Sequence, residues 1–129
     1  MPADFFVEII ESSRELTPKE RILIKQTQGA NRLDEITRNG EVVITPTAYA
    51  ILRVNNERSK GDKVYETMVL IDENGALYIT GSVSFRNSIL QSWDDYTELR
   101  ETGEKCAYKV YRVPSKNFKG KEFIAASII

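Results

Sequence analysis

EVVITPTAYAILRVNN, residues 41–56, decides the architecture. Its residues alternate with a period of two. Val42, Ile44, Ala48, Ala50, Leu52 and Val54 fall on one side; Val43, Thr45, Thr47, Tyr49, Ile51 and Arg53 fall on the other. Successive side chains of a strand point to opposite faces, so the stretch predicts a long, half-buried strand. Two alanines on the inward side suit a narrow interior, such as that of a small barrel. Pro46 has no N–H to offer a neighbouring strand, so it belongs at a bulge or a sheet edge.

The pattern continues on the C-terminal side. KVYETMVLID, residues 63–72, reads as a second strand, and ENG, residues 73–75, as a hairpin turn with Asn74-Gly75 at its tip. ALYIT, residues 76–80, is a short third strand. After Gly81 the period changes. Ser82 stands as N-cap, and Phe85, Ile89, Trp93 and Tyr96 form one apolar stripe of a helix that Gly103 ends. KCAYKVYRVP and KEFIAASII read as two last strands joined by a loop or hairpin, PSKNFKG. Strand, strand, strand, helix, strand, strand is the order of a five-stranded OB barrel. The fold expected is therefore mainly β, with an OB domain over residues 41–129 and an N-terminal extension over 1–40 packed on it.

The extension is less regular. DFFVEII suits a short strand or an apolar helical turn. In TPKERILIKQ, Thr17, Pro18 and Glu20 supply an N-cap, a first-turn proline and a capping-box acid, although the apolar residues that follow would also suit a strand. QGANRLDEITRNG reads as a loop.

Composition excludes several chemistries. A chain of 129 residues with no histidine and one cysteine lacks the commonest general base and the usual zinc ligands. The lone Cys106 forms no internal disulfide and reads as a small buried residue in a reducing, cytoplasmic setting. No apolar run approaches a membrane span, and the N-terminus has no signal-peptide pattern. No cofactor or metal is expected. A metal-dependent nuclease using Asp72, Asp94 and Asp95 lacks a recognisable ligand pattern, so the chain reads as a non-enzyme.

Charge is unevenly spread. Residues 64–104 carry a net −6 and residues 105–121 a net +6, in a chain of net −1. A concentrated basic segment in an acidic body points to a directed anionic partner. Single-stranded nucleic acid needs cations for phosphates and flat rings for unpaired bases. The first strand offers Tyr49 and Arg53, the second Lys63 and Tyr65, the third Tyr78. The face of Tyr65 is not fixed by the pattern. On the fourth strand only one tyrosine of Tyr108 and Tyr111 can project outward; Tyr111, with Lys109, is the choice, and Arg112, on the face of Tyr108, is a further candidate. Lys116, Phe118, Lys119 and Lys121 would complete a basic finger. The plainer readings are that tyrosines in strands pack and that lysines guard an edge.

LIDENGALYITGSVSFRNSILQSW, residues 70–93, and KVYRVPSKNFKGKEFIAASII, residues 109–129, resemble the small OB-fold single-stranded DNA-binding proteins of phages and conjugative plasmids of Gram-positive bacteria. The resemblance implies a sequence-tolerant protein that coats single-stranded DNA during replication or transfer. RNA is a further ligand of the same chemistry, and self-association or replication and transfer proteins are further partners. The glycine-rich, acidic-tipped tail of the housekeeping bacterial type has no counterpart here, so recruitment through such a tail is not expected. The alternative is a protein-interaction module of a replication or conjugation complex, with no nucleic-acid activity of its own.

Overall fold

A computed structural model of the chain describes residues 5–26, 29–57, 61, 63–116 and 120–129, the side chain of Phe5 excepted. The strands are β1 (Phe5–Ser12), β2 (Asn31–Arg32), β3 (Val42–Ile44), β4 (Pro46–Asn56), β5 (Val64–Asp72), β6 (Leu77–Thr80), β7 (Tyr108–Pro114) and β8 (Glu122–Ile128). The helices are α1 (Pro18–Lys25), α2 (Leu33–Ile36) and α3 (Val83–Glu101), with a 3-10 turn at Thr37–Asn39. The protein is mainly β, and the strands after residue 41 follow the expected order around α3.

They form two open sheets, ordered β1-β4-β5-β6-β2 and β3-β7-β8. The expected closed barrel is not formed among the described residues. The reason lies in the long alternating strand. It breaks at Thr45, just before Pro46, so that β3 pairs with β7 while β4 lies between β1 and β5. The residues group into two compact units, Met1–Asn31 with Thr47–Gly81, and Arg32–Pro46 with Ser82–Ile129. This grouping cuts across residue 40. β1 is a full member of the five-stranded sheet, paired with β4 from Phe5↔Asn56 to Ser12↔Ala50 around a bulge at Ile10. QGANRLDEITRNG carries β2, α2 and the 3-10 turn, where a loop was expected. Leu33, the first residue of α2, is wholly buried.

In the first unit one sheet face buries Val7, Ala48, Ala50, Leu52, Val54, Val69 and Ile71 in one cluster with Leu16 and Ile24. Ile24 comes from α1, whose start is fixed by the capping box. Thr17 Oγ1 accepts from the Glu20 N–H at 3.2 Å, and Glu20 Oε1 accepts from the Thr17 N–H at 2.9 Å. Arg14 donates to both Glu20 carboxylate oxygens, at 3.0 and 2.8 Å. The Arg14 guanidinium first, and then the Thr17 N–H, hold the Glu20 carboxyl below its usual 4.5, at about 2. Because the folded value is the lower one, the cap's contribution is complete above 4.5 and is lost as pH falls toward 2. We expect the Thr17 amide resonance to titrate with a midpoint near 2. In Glu20→Gln that transition should vanish.

The opposite face of the same sheet was expected to be open. At its middle it is buried: Ile51, Met68, Leu70 and Thr80 are all below 9% exposed. β5 is thus enclosed on both sides, and its run Thr67–Ile71 shows no alternation of exposure.

In the second unit α3 is capped by Ser82, whose hydroxyl accepts from the Phe85 N–H at 3.2 Å. Phe85, Ile89, Trp93 and Tyr96 are its buried residues, the stripe the sequence predicts. They share the unit's interior with Ile44, Tyr108, Val110 and Ile124. The Tyr96 ring lies 4.6 Å from that of Tyr108 and 5.3 Å from that of Trp93, centroid to centroid. No helix among the described residues is long and apolar enough to cross a membrane.

Candidate nucleic-acid interface

The sequence-predicted residues divide between the two units. Tyr49, Arg53, Lys63, Tyr65 and Tyr78 lie in the first; Lys109, Tyr111, Arg112, Lys116 and Lys121 lie in the second. Phe118 and Lys119 lie outside the described residues.

Within the first unit the set is not gathered. Tyr49, Arg53 and Tyr78 share the face that holds Ile51 and Leu70; Tyr78 stands opposite Leu70 across the β5–β6 pair. Strand alternation places Tyr65 with Val69 and Ile71 on the other face. Tyr49 and Tyr78 are half-buried, and burial, with the nearby Asp72 charge, raises the Tyr78 phenol above its ordinary value. Arg53 pairs with Glu8 at 3.3 Å and Lys63 with Glu57 at 3.8 Å. Asp72 serves the β5–β6 turn, its Oδ1 accepting from the N–H groups of Asn74 and Ala76 at 2.9 Å each. Gly75 takes the positive φ, +84°, that this turn requires.

The second unit is better organised. The three-stranded sheet has a buried face made by Ile44, Tyr108, Val110 and Ile124. Burial pushes the Tyr108 phenol up to about 12, against the opposing effect of its hydrogen bond to Ser92. The other face is built in rows. Val43 stands beside Lys109, which stands beside Ser127; Tyr111 faces Ala125; Val113 faces Phe123. Val43 is 54% exposed and Phe123 40%. The Tyr111 hydroxyl shares a 2.8 Å hydrogen bond with Ser127 Oγ, on the diagonal, which fixes where the ring lies. Lys109 Nζ sits 5.3 Å from the centre of that ring, within cation–π range, and 3.8 Å from Glu41 Oε2.

The sequence reading missed Phe123. The signal was there: a period of two puts Phe123 with Ala125 and Ser127, opposite the face of Ile124 and Ile128.

Arg112 has a different position from its neighbours. It lies on the face of Tyr108, and its guanidinium is held from three sides. Nε donates to Thr37 Oγ1 at 3.2 Å, Nη2 donates to the Asp34 carbonyl, and Nη1 lies 3.8 Å from Glu122. Thr37 Oγ1 in turn donates to the Leu33 carbonyl at 2.6 Å. Arg112 therefore ties the short α2 and 3-10 turn to β7, beyond the point where β3 stops. Arg112→Ala is expected to lower stability by about 2 kcal/mol, since it strips two guanidinium hydrogen bonds, one of them to the buried Thr37 hydroxyl. Arg112→Lys should recover only part of this, because an ammonium lacks the planar fork. Urea denaturation of the three proteins measures both.

Thr37, Arg38, Gly40, Glu41, Tyr111, Arg112 and Glu122 line an open cleft of about 360 Å³ beside the Tyr111 ring. Lys116 and Lys121 are exposed at the mouth of the β7–β8 hairpin, whose base is closed by the Ser115 N–H donating to the Lys121 carbonyl at 2.9 Å. Among the described residues no three His, Cys, Asp or Glu side chains are placed to hold a metal ion.

Compared with protein-family models, curated protein sequences and solved structures, the chain matches none of them.

Proposed function

We propose that the protein binds single-stranded nucleic acid without sequence preference, on the outer face of the β3-β7-β8 sheet. The observation that carries the reading is Tyr111, an aromatic ring anchored at its hydroxyl, with an ammonium beside it and a second exposed ring, Phe123, on the adjacent row. An unpaired base stacks on an aromatic side chain for about 1–3 kcal/mol, whatever the base. Lys109, Lys116 and Lys121 supply the cations for the phosphates. On binding, the Lys109 ammonium passes from the ring and Glu41 to the sugar-phosphate backbone, and the base takes its place. DNA coating in replication or transfer is the role that this chemistry serves, and an OB-type plan is consistent with the strand order and with a first strand that serves two sheets.

Fluorescence anisotropy of a labelled oligodeoxythymidylate tests the reading. Binding at low salt should weaken as salt rises. Three neutralised phosphates give a slope of about −2 in log K against log salt. Unchanged anisotropy at micromolar protein and low salt would falsify the proposal. A protein-interaction module is the second reading, and Val43, Val113 and Phe123 favour it, as apolar side chains on the same face. A protein partner that stays bound after nuclease treatment, with no oligonucleotide binding, would select it.

A further inference from the structure

β7 outruns its partner. Val42↔Val110 is the last pair it makes with β3, and β7 continues to Pro114. The residue next in register with Arg112 would be Gly40. There the chain turns away: Gly40 takes a φ of +131°, and its N–H donates to the Thr37 carbonyl at 3.3 Å. The cleft beside Tyr111 opens in this gap, between the Thr37–Asn39 turn and β7. Its volume of about 360 Å³ is that of a small-molecule site.

The hydrogen-bond phase of β7 shows what the gap exposes. Ala107 and Ile129 exchange N–H···O bonds at 2.9 and 3.2 Å, and the Ser115 N–H donates to the Lys121 carbonyl at 2.9 Å. In an antiparallel ladder a residue sends its N–H and C=O to one side, and its neighbours send theirs to the other. The odd-numbered residues of β7 therefore bond toward β8, and the backbone groups of Tyr108, Val110 and Arg112 point toward β3. Tyr108 and Val110 meet Ile44 and Val42. Among the described residues no group bonds to the backbone N–H or C=O of Arg112. Pro114, next on that side, has no N–H. The gap thus offers one backbone donor beside one acceptor. The charges around it are mixed. Glu41 and Glu122 line the cleft, so its interior repels a phosphate. Arg38 lines it as well, is exposed, and makes no ion pair among the described residues.

We propose that the cleft receives the nucleotide next to the one stacked on Tyr111, with its base edge on the Arg112 N–H and C=O and its phosphate on Arg38. Every base carries an N–H donor beside an acceptor on its pairing edge, N3–H and O4 in thymine, so the subsite takes any base. The two carboxylates accept from whatever further N–H the base presents. A neutral base suits a cleft that repels anions, and the free guanidinium keeps the phosphate at its border. The inference rests on the reading of the outer face as a single-strand site. It carries the strand from that face around the β7 edge, because Tyr111 belongs to both the face and the cleft. Arg38 becomes a fourth phosphate contact, beside Lys109, Lys116 and Lys121.

The test is the salt dependence of oligodeoxythymidylate binding. A fourth neutralised phosphate steepens the slope of log K against log salt from about −2 to about −3. Arg38→Ala should return it to about −2 and weaken binding about five- to tenfold at about 50 mM salt. Lys19→Ala, which removes an exposed cation from α1, should change neither. A second measurement needs no variant. The Arg112 amide should exchange readily with solvent in the free protein, and about tenfold more slowly at saturating oligonucleotide. A slope for Arg38→Ala equal to that of wild type overturns the inference, and so does an Arg112 amide whose exchange is unchanged by the oligonucleotide. If Tyr111→Ala still weakens binding in that case, the outer-face reading stands without the cleft. A wild type that binds no oligonucleotide overturns both.

Discussion

Tyr96→Ala is expected to lower the free energy of unfolding by about 3–5 kcal/mol, the range for removing a buried aromatic ring. Tyr96 is completely buried. Its ring packs between Trp93 and Tyr108 at 5.3 and 4.6 Å. Its hydroxyl donates to the Pro46 carbonyl at 2.6 Å and accepts from Arg100 Nη1 at 3.1 Å. Alanine would leave a cavity between two rings and orphan a carbonyl at the break between β3 and β4. Tyr96→Phe separates the two effects: the rings stay, and the loss should be about 1–2 kcal/mol. Domains of this size are commonly stable by only about 5–15 kcal/mol, so the alanine variant should be partly unfolded at modest urea. A loss below about 1 kcal/mol for Tyr96→Ala would contradict this packing.

The second large effect is on binding. Tyr111→Ala should weaken affinity for an oligodeoxythymidylate by about five- to 150-fold, the equivalent of one stacked base. Phe123→Ala should add to it, and the double variant should lose about a hundredfold or more. The residues are near neighbours, so the losses need not sum. Neither substitution touches the buried face, so both proteins should unfold within about 1 kcal/mol of wild type. The proper control is Tyr96→Phe, which keeps the outer face and should bind as wild type does. Tyr111→Phe adds a finer test. It keeps the ring but releases it from Ser127, so a small loss reports on anchoring and a large one on the hydroxyl itself.

Much of the architecture was legible because it is written in local periodicity. The period-two run of residues 41–56 marks a strand, the Phe85-Ile89-Trp93-Tyr96 stripe marks α3, and Asn74-Gly75 marks the β5–β6 turn. Ser82 and Thr17 mark their helix starts for the same reason: caps are local chemistry. Strand pairing is not local. Nothing in DFFVEII says that it will pair with residues 50–56, and nothing in the period of residues 41–56 says that the strand will break at Thr45 and serve two sheets. Leu33 is a lone apolar residue in a polar segment, and its burial comes from tertiary context. The enclosure of β5 was visible in principle, since Thr67–Ile71 is a short run without polar interruption, and such runs belong to strands covered on both faces. At the candidate face, the choice between Tyr108 and Tyr111 follows from alternation once a single inward residue is known. The role of Arg112 does not, because its partners Asp34 and Thr37 lie more than seventy residues away in sequence.

The most direct examination of the proposed binding face is an amide spectrum of labelled protein titrated with unlabelled oligodeoxythymidylate. Perturbed resonances should concentrate at Lys109–Val113 and Phe123–Ser127, with Lys121 at the hairpin mouth. Perturbations confined to the β1-β4-β5-β6-β2 sheet, or none at saturating oligonucleotide, would contradict it.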